Sequence, residues 1–527
     1  MKYTLAPSAR ARSLANQLSL RDAINQVCCP LLNFEPTETL GGGVGGAHIG
    51  RAPRERIAAQ VNALRAVCTI PPLCTADLEC GAGRAIVGMT EFPDLMGLGA
   101  NGSEELAYQV GKATALEGRA AGINWTFSPC VDVAEVADSP AVSTRSAGRS
   151  VERVIAAARG YLRGLQEHGV VATLKHFPGD GYTTYDQHLT TPQIPLDMAA
   201  WWQGPGRIYR ELIDAGAKTI MAGHLALPAY DTPDPKLGLC PPATISRRLL
   251  VDLLRGELGF GGLLVSDAMG MGGVAGFVHP FESYGLFLEA GGDCVLFPRV
   301  PDRRFYPEME RQLKAGILKE ATLYDRAARM LAFKEDLGLL DHPERFAPAP
   351  APGTVDLEAH AALARRVADG AVCLVRDRAK LLPLELTPTT RVLHVVISPT
   401  YAEEKAVYGA LTAALASRAQ VEELIDPGPH QLFERVDQYD LVVCSIGAPT
   451  SWGVNVARLH GPICRNLMEG WMRLGTPVVF VSHIHPFLHL EYEPLMDCVV
   501  NTFRSLESTG ERIVRGLVGE LPFSGGF

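Results

Sequence analysis

Across the first 335 residues short apolar runs alternate with longer amphipathic stretches, the pattern of repeated βα units around a parallel sheet. Eight runs are predicted strands: CCPLL (28–32), GGAHI (45–49), PPLCTADL (71–78), WTFSPCVDV (125–133), VATLKHF (171–177), TIMAGHL (219–225), GLLVSDAM (262–269) and CVLFPR (294–299). Between them, segments such as RERIAAQVNALRAV and VERVIAAARGYLRGLQEHG repeat apolar residues every three or four positions and predict helices. Eight strands in this alternation predict a closed (β/α)8 barrel. The polar residues support closure, because barrel enzymes carry their chemistry at the C-terminal ends of the strands. Those ends hold Asp77, Asp132, Lys175, His176, His224 and Asp267. A single such residue reads as a cap or a solvated side chain; recurrence at five strand ends reads as a site.

The pattern changes after residue 335. DHPERFAPAPAPG alternates Ala and Pro as a stiff extended connector. Beyond it GAVCLVRD, RVLHVVIS, DLVVCSIG, TPVVFVSH and DCVVNTF are β-branched runs separated by helical stretches such as EEKAVYGALTAALASRA and NLMEGWMRLG. The expected organisation is a catalytic TIM-type barrel over 1–340, a Pro-rich linker over 341–353 and a smaller parallel α/β sandwich over 354–527.

Composition narrows the function. The 527 residues are 47% hydrophobic and 20% charged, enough for two large cores. With 49 Lys plus Arg against 58 Asp plus Glu the net charge is -9, and no basic stripe suits nucleic acid. The N-terminal segment has no continuous apolar run of the secretory kind and no later run approaches the roughly 18 residues of a membrane span, so the chain reads as cytoplasmic. Twelve cysteines are too sparse for a disulfide scaffold, and Cys28, Cys29, Cys130, Cys294, Cys373 and Cys444 sit in apolar runs as reduced thiols. Cys68, Cys74 and Cys80 lack the CxxC pair and histidine partner of a zinc site. Gly41, Gly43 and Gly46 have GxGxxG spacing, but the next helix begins only near residue 53, so a strand-connecting loop is the better reading.

Two constellations carry chemistry. KHFPGDGYTTYDQH (175–188) leaves the fifth strand with Lys175 and His176 and runs through a Pro-Gly turn to Asp186 and His188. On an extended loop residues two apart project to one side, so the carboxylate can hold one imidazole nitrogen while the other faces substrate. LLVSDAMGM (263–271) ends an apolar strand in Asp267, placed to attack an electron-poor carbon, with a helix N-cap as the competing role. Met269 and Met271 read as packing residues. A carboxylate nucleophile and a protonatable His about 5 Å apart are what cleavage of a glycosidic bond with retention requires.

KHFPGDG with DQH, SDAM, INWTFSPCVDV leading to STRSAG, and MAGHLALPAYD together resemble glycoside hydrolase family 3, in its β-N-acetylglucosaminidase branch. The resemblance implies Asp186 and His188 as acid/base dyad and Asp267 as nucleophile. It implies Asp77, Arg145, Lys175 and His176 as sugar contacts, with no metal or organic cofactor. The expected partner is a small saccharide ending in N-acetylglucosamine, with no nucleic acid and no membrane. The family's typical KHFPGHG reads KHFPGDG here, Asp180 replacing the second His. A neutral imidazole does not repel an anionic acceptor, so phosphorolysis stays open beside hydrolysis. A β-glucosidase and a catalytically weak sugar-binding protein on the same scaffold also stay open.

Overall fold

The structure is a computed structural model of the 527-residue chain; it describes all residues except 1, 34–39, 41–42, 301, 349–354, 449–452, 454–457, 460 and 527. The first unit contains β1 (Cys28–Cys29), β2 (Gly46–His48), β3 (Leu73–Ala76), β4 (Trp125–Thr126), β5 (Thr173–Phe177), β6 (Thr219–Ala222), β7 (Leu263–Ser266) and β8 (Val295–Leu296). Each lies inside one of the eight predicted runs. β2, β3 and β4 pair in parallel, as do β5, β6 and β7, and β1 with β8. Single parallel bridges, Leu31 to His48, Trp125 to Val171 and Val265 to Cys294, join these groups into a closed ring. The strands are buried throughout, as parallel strands covered by helices must be.

Inside the barrel the Trp125 indole donates to Thr173 Oγ1 at 2.8 Å and Thr219 Oγ1 at 3.2 Å, so its one polar atom is satisfied among fully buried neighbours. Outside, helices Glu104–Ala120 and Val151–Glu167 begin at Ser103 and Ser150, whose hydroxyls accept the Leu106 and Arg153 N–H groups. They approach closely because Gly160 and Gly164 face backbone where a Cβ would collide. Below the barrel Asp293, fully buried just before β8, accepts from Arg255 and Arg329 and from Leu264 N–H. Gly43 takes φ +94° in the glycine-rich loop and Gly46 lies in β2; Gly41 falls outside the described residues. The next helix is Arg54–Val67, as a connecting loop requires.

The second unit is a six-stranded sheet of β9 (Cys373–Asp377), β10 (Arg391–Ile397), β11 (Gln420–Ile425), β12 (Leu441–Ile446), β13 (Val478–Ser482) and β14 (Cys498–Asn501). Its order is β9-β14-β13-β12-β10-β11, parallel except for β9 against β14. Alternate residues feed opposite faces: Leu393, Val395 and Ile397 pack with Trp471, while Val392 packs with Leu411 and Ile513. Two details differ from the sequence reading. β11 is a sixth strand just past the predicted helical stretch EEKAVYGALTAALASRA, where the sequence reading marks no element. NLMEGWMRLG is not a helix; Glu469 and Gly470 take φ +68° and +64°, splitting it into short turns Pro462–Leu467 and Trp471–Arg473.

Helix Leu357–Ala371 joins the units. Asn101 Nδ2, on the barrel, donates to Val367 O at 2.9 Å, and His360 Nδ1 lies 2.7 Å from Glu117 Oε1. Met96, Ala100, Ala134 and Val142 of the barrel share a core with Ala371, Cys373, Phe487 and Phe503. Among the described residues no helix is long and apolar enough to cross a membrane.

Candidate active site

β7 delivers Asp267 to the barrel mouth. Its N–H donates to Ala222 O at 2.8 Å and its Oδ1 accepts Ala268 N–H at 2.7 Å, leaving the side chain 12% exposed. It caps no helix: the next one, Gly272–Ala275, begins after Met271. Burial pushes the carboxyl up, but His176, His224 and the Ala268 N–H outweigh it and hold the group below its ordinary value. Met269 and Met271 are buried packing residues.

His176, from β5, points Nε2 at Asp267 Oδ2, 3.8 Å away, and Nδ1 at Asp132 Oδ2, 2.7 Å away. Asp132 Oδ1 accepts two further N–H groups, from His176 at 3.0 Å and Asp180 at 2.8 Å. Burial raises the Asp132 carboxyl, yet His176 and these N–H groups bring it below its usual range. An ionised Asp132 fixes the proton on Nδ1 and leaves Nε2 toward Asp267. Cys130, Asp132 and His176 place donor atoms within 4.8 Å of one another. The Cys130 thiol donates to Asp132 Oδ2 at 3.2 Å, so the three read as a hydrogen-bonded relay and not as a ligand set. Cys68 and Cys80 do not converge, the first donating to Leu40 O and the second to Asp94 Oδ1.

Lys175 and Arg145 converge on Glu79. Lys175 Nζ lies 2.5 Å from Glu79 Oε1, and Arg145 makes a bidentate pair with the same carboxylate at 3.0 and 2.8 Å. Burial opposes ionisation of Glu79, but the two cations hold it well below its usual value. Asp77 stands at the rim with a half-exposed side chain, 3.8 Å from Lys175 Nζ and 3.7 Å from His48 Nε2. Sequence reasoning missed Glu79, which follows Asp77 by two residues in ADLEC, and noted Asp132 only as a strand end.

The loop after β5 carries the dyad. His188 Nδ1 lies 2.6 Å from Asp186 Oδ1, which also accepts the His188 N–H at 2.9 Å. Asp186 Oδ2 accepts the N–H of Gly453, from the second unit, at 2.7 Å. Gly453 ends GAPTSWG; residues 449–452 of that segment lie outside the described residues. Burial raises Asp186, but the hydrogen bonds from His188 and Gly453 leave it ionised below its usual range. Gly272 N–H donates to His188 O at 2.8 Å and Gly273 N–H to Gln187 O at 3.1 Å, so the dyad loop is stitched to the segment just after Asp267. His224 Nε2 donates to Ala268 O at 3.0 Å and Nδ1 accepts from Thr244, and burial lowers its pKa. One mouth thus assembles an ionised carboxylate, an imidazole backed by a carboxylate and a charged rim of Lys175, Arg145 and Asp77.

The chain is similar to known proteins in sequence and in fold. The family model described as the glycosyl hydrolase family 3 N-terminal domain matches residues 47–333. A β-N-acetylglucosaminidase/β-glucosidase of Cellulomonas fimi is 30% identical over 546 residues, covering 98% of this chain and 94% of that protein. β-Hexosaminidase A of Pseudoalteromonas piscicida is 26% identical over 450 residues, 79% of this chain and 73% of its own. Among solved structures, a β-glucoside phosphorylase superposes with TM-score 0.88 at 26% identity, covering 98% of this chain and 96% of that one.

Proposed function

The chain belongs to glycoside hydrolase family 3, and we propose that it is a retaining exo-acting glycosidase that releases terminal β-linked N-acetylglucosamine. The observation that carries this reading is the stitching of the Asp186–His188 loop to the Asp267 segment at Gly272 and Gly273. Asp267 attacks the anomeric carbon while His188, oriented by Asp186, gives its proton to the leaving oxygen. A glycosyl ester forms on Asp267; His188 then takes a proton from water, which displaces the ester. Lys175, His176, Arg145 and Asp77 grip the sugar hydroxyls, and contacts that tighten as the ring flattens raise the rate. The N-acetyl preference draws on the names of the Cellulomonas and Pseudoalteromonas relatives.

A second reading, phosphorolysis, is favoured by the likeness to the β-glucoside phosphorylase over nearly the whole of both chains. In it phosphate displaces the ester and the product is a glycosyl phosphate. Initial rates on an aryl β-N-acetylglucosaminide and the matching β-glucoside, each with and without phosphate, test both readings. A large N-acetyl preference supports the first. Phosphate-dependent release of a sugar phosphate supports the second, and a preference for glucose overturns the N-acetyl assignment.

For organisation, we propose domains over 1–340 and 354–527 joined by 341–353, supported by barrel strands confined to 28–296 and sheet strands to 373–501. A cytoplasmic location is supported by twelve unpaired thiols, all but Cys464 buried.

A further inference from the structure

Asp180 stands where the resembled motif has a histidine, and its surroundings are not those of a loop residue in solvent. It is 1% exposed. Oδ1 accepts the Gly181 N–H at 2.7 Å, while Oδ2 is buried with no hydrogen-bond partner among the described residues. Its backbone N–H binds Asp132 Oδ1, the oxygen that also takes the His176 N–H. The groups facing it are Asp132 from the chain leaving β4, Asp186 further along its own loop, Arg145 from the turn Ser143–Arg145 and Tyr209 from helix Pro205–Asp214. Arg145 is already committed to Glu79, and the Tyr209 hydroxyl has no hydrogen-bond partner among the described residues. A carboxylate with a bare buried oxygen beside two ionised carboxylates would be an uncompensated charge at low dielectric; a carboxylic acid there is tolerable. Burial first, and then the Asp132 charge, push the group up to about 8.

We propose that Asp180 is a positioning residue held as the neutral acid, and that its ionisation unseats the Asp132–His176 pair and sets the alkaline limit of the enzyme. The inference rests on the reading of Asp267 and His176 as parts of the sugar site. Once Asp180 loses its proton, two carboxylates share one buried turn with no cation left to pair the second. The Asp180 N–H in this turn and the His176 N–H near the end of β5 share Asp132 Oδ1, so relieving the repulsion displaces the ring that faces Asp267. Gly181 leaves little slack for another accommodation: it sits at φ +93° with the Val133 carbonyl against the place of a Cβ.

The test is kcat/KM against pH on a dinitrophenyl glycoside, whose leaving group needs no proton, so that His188 imposes no limb of its own. Wild-type enzyme should lose about tenfold per pH unit above a midpoint near 8, the behaviour of one ionising group. Asp180→Asn should stay level through that range, and Asp180→His should lose the same limb. A variant that keeps the wild-type limb, or a wild type without one, overturns the proposal. Infrared difference spectra of the wild type give a second reading: the band of a buried carboxylic acid should vanish with the midpoint of the activity loss, and its absence overturns the proposal even if neither variant folds. Failure of the wild type to turn over at any pH would count instead against the glycosidase reading, with the infrared midpoint still deciding on Asp180.

Discussion

Gly453, in the second α/β unit, donates its backbone N–H to Asp186 Oδ2 at 2.7 Å, so the carboxylate that orients His188 is held from both units at once. The same face carries an ion pair between Arg458 and Asp138. The second unit therefore has a direct hold on the dyad loop of the barrel.

Replacing Gly453 should weaken acid catalysis selectively. Its φ of +76° disfavours any side chain, although an added Cβ would meet nothing within 4 Å among the described residues. Gly453→Ala should misplace the N–H and cost about 1.5–3 kcal/mol of hydrogen bonding to a charged group. Turnover of a glycoside with a poor leaving group should fall roughly tenfold to a hundredfold by that figure, with a much smaller loss on a dinitrophenyl glycoside. Rates on the two substrates, compared in one preparation, check this.

Asp293 offers a purely structural counterpart at the opposite end of the barrel. The Arg329, Arg255 and Arg326 charges hold its carboxyl far below the ordinary range against the pull of burial. Removing it leaves buried guanidinium groups unpaired, and Asp293→Ala should cost about 3–5 kcal/mol in denaturant unfolding. Because its native pKa is depressed, its contribution is complete above the unfolded value near 3.9 and is lost as pH falls below it. Whatever fraction of Asp293→Ala remains folded at neutral pH should keep its kcat.

Lys334 should make stability rise toward alkaline pH. It is fully buried, donating to Val44 O at 2.7 Å and Gln26 Oε1 at 2.9 Å, and burial lowers its pKa from 10.5 to about 7. Between these values the unfolded chain binds the extra proton and the native state does not, so unfolding free energy increases with pH. Lys334→Met should flatten that rise between pH 7 and 10. Parallel melts of both proteins across the interval measure it.

The barrel was legible because each of its strands is a short apolar run ending in a polar residue, a pattern that parallel burial imposes locally. β11 was not: Glu422 and Glu423 sit within an edge strand whose residues are half exposed, so no apolar run marks it. Asp267, Asp186 and His188 were legible as candidates because each sits in a short motif with its own internal logic. Glu79 and Gly453 could not, since what singles them out is a partner far along the chain: Lys175 and Arg145 for the first, Asp186 for the second. Asp132 shows the middle case, visible as a strand end while its task of holding His176 and Asp180 appears only once β4 and β5 lie side by side.

The most direct test of the central claim is to trap the glycosyl-enzyme with an activated fluoro-sugar and map the labelled peptide by mass spectrometry. The account predicts one sugar per chain, esterified on Asp267, with no label on Asp267→Ala. A label on any other residue, or full turnover by Asp267→Ala, would contradict it.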